Sequence, residues 1–265
     1  MPRARRAAVM TVVLAAGVAG LAGCAFQNAQ FSVDSTESAT VTEIRLSGGG
    51  SGNVTVLPSE DGKTHIHREV HYAGDRNDTT PFHLEGSILV VSTDCGWRCG
   101  ISYDIRAPQG VRVTGESSSG NVRLTNVSDV DLRVDSGSVL VDGSTGVVRV
   151  TASSGDVEVN GTEKDLDIRV DSGNITARAV RSPRTVLHAS SGRIEVRLAA
   201  AGNVQAVVDS GGITLDIPVG RQGYRVQASA DSGTKSIDVP IDSTSPYLLD
   251  LSTSSGDITV RNITA

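Results

Sequence analysis

Four of the five histidines fall within nineteen residues, as His65, His67, His71 and His83. Alternate side chains of an extended strand share one face. His65, His67, Glu69 and His71 would therefore project together while Ile66 and Val70 point the other way. A His-x-His pair so placed is half of a zinc or copper site; the competing reading is a solvated outer face rich in histidine. Cys95 and Cys99 offer sulfur chemistry in Asp94-Cys-Gly-Trp-Arg-Cys-Gly100. Their Cys-x₃-Cys spacing is wrong for a Cys-x₂-Cys redox motif, and no second pair completes a cysteine zinc site. A structural disulfide is the expectation, which suits an oxidising compartment.

Nucleophilic hydrolysis finds little support. Serines are plentiful, but there is no Gly-x-Ser-x-Gly elbow, and His188 is the only histidine beyond residue 115. Glycosidase or lyase chemistry needs carboxylates tuned by burial, whereas alternation puts most Asp and Glu on exposed strand faces. Sugar-binding surfaces usually carry aromatic platforms, and the same region has only Tyr224 and Tyr247. The glycine-rich stretch Ser47–Asn53 precedes a strand and lacks the lysine of a phosphate loop. No catalytic residue and no cofactor is expected.

The elements that must position these residues are strands. From Glu116 onward the chain repeats the unit Ser-Gly-x-(Val/Ile), preceded by Ser or Asp, on Gly120, Gly137, Gly155, Gly173, Gly192, Gly211, Gly233 and Gly256. The glycines stand 17, 18, 18, 19, 19, 22 and 23 residues apart. Within each unit, apolar residues alternate with polar ones, as in Val122/Leu124, Val139/Val141 and Leu166/Ile168/Val170. Period-two alternation rich in Val and Ile means strands with one buried face. Two short strands and two turns per unit make one coil of a flattened β-solenoid, an all-β, parallel β-helix-like fold. An antiparallel β-meander is the alternative. The glycines would take turn conformations with positive φ.

Ser-Ser-Gly and Asp-Ser-Gly alternate through the first six copies. Equivalent positions of a solenoid stack about 4.8 Å apart, so interposed serines keep carboxylates from forming a like-charge ladder. The sharper alternative is a calcium-binding edge at Asp135, Asp171 and Asp209. Residues 40–115 are strand-like but irregular, with 64–72 and 83–91 among the candidate strands. They hold Trp97 and the cysteine pair, and read as a disulfide-clipped cap ahead of a repeat region spanning 116–265.

The first 23 residues read as an export signal, with Arg3, Arg5 and Arg6 ahead of an uncharged apolar run from Ala7 to Ala22. Leu21-Ala22-Gly23-Cys24 resembles the bacterial lipobox, which implies lipid on Cys24 and attachment to a membrane from the extracytoplasmic side. Residues 24–39 are mostly small or polar and read as a flexible, lipid-anchored tether. Removing residues 1–23, with three arginines and no acid, takes the net charge from −6 to −9. So acidic a chain lacks the basic patches that nucleic acid requires.

The Ser-Gly-x-Val units resemble a bacterial β-strand-repeat family of unknown function that carries an adhesin label. Ile105-Arg-Ala-Pro-Gln-Gly110-Val, Ile217-Pro-Val-Gly220 and the run from Tyr224 to Asp231-Ser-Gly233 are similar to it as well. The resemblance implies a β-solenoid-like fold on exported or membrane-attached proteins and supplies no catalytic residues. The expected function is therefore non-enzymatic adhesion or scaffolding at the cell surface, with an envelope polymer or surface protein as partner. The alternatives are a metal-binding lipoprotein using the histidine strand, or a polysaccharide-acting β-helix enzyme.

Overall fold

A computed structural model describes residues 28–73, 81–220 and 223–263; Cys24 and the signal at 1–23 lie outside the described residues. The described residues contain no helix. The chain opens with β1 (Asn28–Glu37), β2 (Glu43–Ser47), β3 (Val54–Pro58) and β4 (Thr64–Ala73). A hairpin of β5 (Phe82–Glu85) and β6 (Ile88–Val91) precedes β7 (Cys99–Ala107). The repeat follows as β8 (Arg112–Ser119) with β9 (Val122–Val127), β10 (Val130–Ser136) with β11 (Val139–Ser144), and β12 (Val148–Ser154) with β13 (Val157–Thr162). It continues as β14 (Leu166–Ser172) with β15 (Ile175–Val180), β16 (Arg184–Ser191) with β17 (Ile194–Leu198), and β18 (Asn203–Ser210) with β19 (Ile213–Pro218). The last pairs are β20 (Arg225–Ser232) with β21 (Lys235–Asp238) and β22 (Leu248–Ser255) with β23 (Ile258–Ile263).

Each pair is one coil of a solenoid, contributing a strand to each of two sheets that pair in parallel along their length. The parallel pairing excludes the meander. One sheet has 12 strands, in the order β1-β4-β7-β3-β9-β11-β13-β15-β17-β19-β23-β21. The other has 11, in the order β20-β22-β18-β16-β14-β12-β10-β8-β2-β6-β5. Between them lies a thin aliphatic core of rows such as Leu132, Val150 and Ile168 against Val141, Val159 and Ala177, all at most 2% exposed. Burying each such side chain contributes roughly 1.5–3 kcal/mol.

The coils are not stacked in chain order at either end. β6/β7 lies outside β2/β3, and the chain then returns to lay β8/β9 on the inner side of β2/β3. At the far end β22/β23 is inserted between β18/β19 and β20/β21. The last described strands therefore lie in an interior coil, and the outermost coil, β20/β21, comes before them in the chain.

Three sequence expectations are corrected here. The tether assigned to 24–39 is a strand from Asn28 to Glu37, paired antiparallel with β4 over its whole length. Phe31, Val33 and Ser35 turn inward while Ser32, Asp34 and Thr36 face out. So polar a segment holds as a strand because β4 supplies a complete ladder. The division at 115 also fails. β2/β3 and β6/β7 are coils of the stack itself, and only β1, β4 and β5 pair antiparallel to form the cap. The strand expected at 83–91 is a hairpin, turned at Gly86 with φ 67°.

A column of glycines runs down one corner of the stack. Gly120, Gly137, Gly155, Gly173, Gly192, Gly211, Gly256 and Gly233 all have φ between 111° and 150°. A Cβ on any of them would collide with the carbonyl oxygen of the glycine in the adjacent coil; for Gly120 that glycine is Gly52. The close approach serves hydrogen bonding. The amides of Gly155, Gly173 and Gly192 donate to the carbonyls of Ser172, Ser191 and Ser210 one coil on, each at 3.0 Å. Beside this column Asn53 Oδ1 accepts the Asn121 amide at 2.8 Å, and Asp156 and Asn174 do the same for Asn174 and Arg193 at 2.8 and 3.0 Å.

Gly173→Ala is expected to lower the unfolding free energy by about 3 kcal/mol, from left-handed strain plus overpacking. Gly110→Ala, at φ 77° with nothing within 4 Å of a new Cβ, should cost only about 1 kcal/mol in the same urea titration. Ser254 sits between Asp209 and Asp231 in the observed coil order. Ser254→Asp should therefore destabilise by roughly 1 kcal/mol, an effect that fades in about 1 M salt. Ser252→Asp, flanked by Val207 and Ser229, should show no such salt-reversible loss.

Candidate functional site

The histidine strand β4 lies between β1 and β7, with His65, His67, Glu69 and His71 on the outer face of the 12-stranded sheet. Neighbouring carboxylates separate the imidazoles rather than join them. His67 Nδ1 is 2.7 Å from Asp34 Oδ1 on β1. His65 Nε2 is 3.0 Å from Asp61 Oδ1, and its Nδ1 is 3.1 Å from Thr36 Oγ1. His71 Nε2 lies 3.6 Å from Glu69 Oε1. His83 belongs to the other sheet and meets Glu85 at 3.1 Å. Among the described residues no group of three or more His, Cys, Asp or Glu side chains is placed to hold a metal ion. The reason is the strand itself, which spaces successive outward side chains nearly 7 Å apart.

The acidic edge follows the same logic. Asp135, Asp171 and Asp209 stand in one exposed row, but Ser153 and Ser190 lie between them, and Ser118 and Ser254 flank the set. Each carboxylate is thus two coils, about 9.6 Å, from the next. That separation suits an edge that avoids charge repulsion, and it does not converge on a cation.

The most developed polar feature was not legible in the sequence. Thr176, Arg178, Glu195, Arg197, Asp216 and Arg261 line a shallow furrow of about 360 Å³ across β15, β17, β19 and β23. Asp216 sits at its floor with a side chain only 8% exposed. Its Oδ1 accepts from Arg261 Nε at 2.7 Å and its Oδ2 from an Arg197 terminal nitrogen at 3.2 Å. Burial pushes the pKa of this carboxyl up, but the two guanidiniums outweigh it and hold the group below its ordinary value. Arg178 in turn pairs with Glu158. A second furrow of about 230 Å³, lined by Glu158, Asn174, Arg193 and Glu195, continues the first toward the capped end. The arrangement is a charge-compensated array of donors and acceptors on the outer face of the sheet.

At the capped end the expected disulfide joins Cys95 to Cys99, with Cα atoms 5.3 Å apart. The loop it closes displays Trp97, 86% exposed, with the Arg98 guanidinium 5.1 Å from the ring centre. A cleft of about 500 Å³ beside it is lined by Gln30, Ser51, His71, Tyr72, Arg98 and Ser102. Cys24, the expected lipidation site, falls outside the described residues, four positions before β1.

A family model described as Toastrack DUF4097 matches residues 106–261. Among solved structures the chain is similar to a "putative adhesin" from Bacteroides fragilis, with 17% identity and a TM-score of 0.48, covering 91% of this chain and 100% of that one. It is also similar to a "putative adhesin" from Parabacteroides distasonis, with 14% identity and a TM-score of 0.47, covering 90% and 98%. A third, from Parabacteroides merdae, shares 16% identity with a TM-score of 0.45, covering 88% and 96%. No match is found among the curated proteins.

Asp216→Asn should cost about 2 kcal/mol at neutral pH, because two arginines lose their shared counter-ion. The folded carboxyl lies below its ordinary value of 3.8. Its stabilisation is therefore fully present above that pH and is lost as pH falls through the folded value. Urea titrations at pH 7 and near pH 3 should show the gap between wild type and variant shrinking with acid; a gap independent of pH would refute the ion-pair account.

Proposed function

We propose, for a chain that belongs to the Toastrack DUF4097 family, that it is a lipid-anchored, extracytoplasmic module whose solenoid displays a polar sheet face for adhesion or scaffolding. One observation carries this reading. β1 lies at the edge of the capped end, and the stack runs away from it through ten coils to β20/β21. Nine steps of ~4.8 Å amount to about 43 Å. A chain attached at Cys24 would thus hold its long faces and far end well clear of the membrane surface. Two or more acyl chains make such an attachment effectively permanent, since each buried CH₂ contributes about 0.8 kcal/mol. The Cys95–Cys99 disulfide suits the oxidising compartment that the reading requires.

The charge-paired furrow supports a binding role over a catalytic one. Asp216, the acid at its floor, is kept ionised between Arg197 and Arg261, whereas a general acid needs its proton near neutral pH. The partner class that fits is a polar envelope polymer or a surface protein. With a net charge of −9 once residues 1–23 are removed from a chain at −6, nucleic acid is not among the partners.

Expressed with its signal in a bacterial host, the wild type should fractionate with membranes, carry labelled fatty acid and be degraded by protease added outside the cytoplasmic membrane. Cys24→Ser should lose the label and move to the soluble extracytoplasmic fraction with unchanged thermal unfolding. Retention of Cys24→Ser in the membrane fraction would overturn the lipid-anchor reading.

A further inference from the structure

The geometry points to a second membrane contact: the disulfide-braced Trp97–Arg98 loop docks at the headgroup level of the bilayer that holds the lipid. This inference rests on the lipid-anchored reading above and adds to it a fixed orientation of the stack.

Trp97 is the chain's one tryptophan. Tryptophan is normally well buried in a folded domain, yet here it is 86% exposed. The loop is not loose. The disulfide closes it at its base, Asp94 Oδ1 accepts the Gly96 amide at 2.9 Å, and the Cys99 amide donates to the Gly96 carbonyl at 3.2 Å. An indole is held out in solvent by a covalent brace.

Its position relative to the start of β1 makes the assignment. The Arg98 carbonyl accepts the Ala73 amide at 3.1 Å, and Ala73 is the cross-strand partner of Asn28, the first residue of β1. The loop is therefore about two strand spacings, roughly 10 Å, from the point where the chain joins the sheet. Three residues lie between Cys24 and Asn28, and the four chain steps joining them reach at most about 14 Å. Wherever the lipid enters the bilayer, the loop is therefore held within roughly 24 Å of it.

The chemistry of the loop matches an interface. An indole has an apolar body and one N–H donor, which is why tryptophan concentrates at the headgroup level. The Arg98 guanidinium lies over this ring, 5.1 Å from its centre. On a protein with net charge −6 overall, and more negative once the arginine-bearing signal is removed, most of the surface would be repelled by anionic lipid. The exposed, braced indole makes this corner the part suited to approach. Lipid and loop would then form two points of attachment, with the stack standing away from both.

Trp97 is its own reporter. The full mature lipidated protein is reconstituted into phosphatidylcholine–phosphatidylglycerol vesicles, with or without bromine on the acyl chains. Flotation reads the anchor and tryptophan emission reads the loop. The expected result is flotation, emission shifted to shorter wavelength than for the unlipidated protein in buffer, quenching by brominated lipid and protection from iodide. Flotation with Trp97 still open to iodide and untouched by bromine would overturn the docking and leave the anchor intact. Failure of the lipidated protein to float would overturn both.

Discussion

The stack depends on one contact, the backbone of one coil's turn lying directly on the turn of the next. At the glycine column the coils approach so closely that no Cβ fits, and the reward is a series of amide-to-carbonyl bonds from glycine to serine that runs from Gly137 to Gly256 along the corner. The near-constant repeat length follows from this. The turn at this corner is two residues in every repeat, and the extra residues of the longer coils are taken up in the opposite turn. The Asn and Asp that follow some of these glycines add a second ladder, in which a side-chain oxygen reaches the amide of the neighbouring coil. Polar residues with no place in an aliphatic core thereby hold the core together from its rim.

Stacking also concentrates like with like, and the outer rows show how this is managed. In the row preceding the serine of each turn, the spatial order is Ser118, Asp135, Ser153, Asp171, Ser190, Asp209, Ser254, Asp231. Along the chain the alternation breaks, because Asp231 follows Asp209. Inserting β22/β23 between β18/β19 and β20/β21 restores it. At neutral pH two carboxylates at about 4.8 Å would repel by ~1 kcal/mol or more. The charge pattern and the coil order are thus consistent only together. The insertion also places β23, the last described strand, between β19 and β21.

The two ends of the molecule differ in a way that bears on orientation. Antiparallel β1, β4 and β5 close one end, where the chain joins the sheets and where the braced tryptophan is displayed. The other end is the short coil β20/β21, whose strands pair on one side only. Between them the 12-stranded sheet carries compensated charge pairs such as Arg197–Asp216–Arg261. These rows form because a parallel stack repeats the same outward position every coil, and they neutralise one another because opposite signs occupy adjacent coils.

The period-two alternation and the glycine spacing were sufficient in the sequence to establish strands, a two-strand coil and an inward aliphatic face, because these depend only on local geometry and burial. The Cys95–Cys99 disulfide was legible for the same reason, its partners being four residues apart. Coil order was not. Alternation says which face a side chain takes and nothing about which strand lies beside it, so neither the inserted final coil nor the interleaved first ones could be read. Asp216 shows the consequence: its position in the repeat marks it as outward, and only β23 lying against β19 brings Arg261, 45 residues away, onto its carboxylate. Asn28–Glu37 was read as tether because its own apolar content is too small to fold. The exposed edge of β4 completes the ladder, and an edge that accepts a ten-residue partner exists only in the assembled sheet.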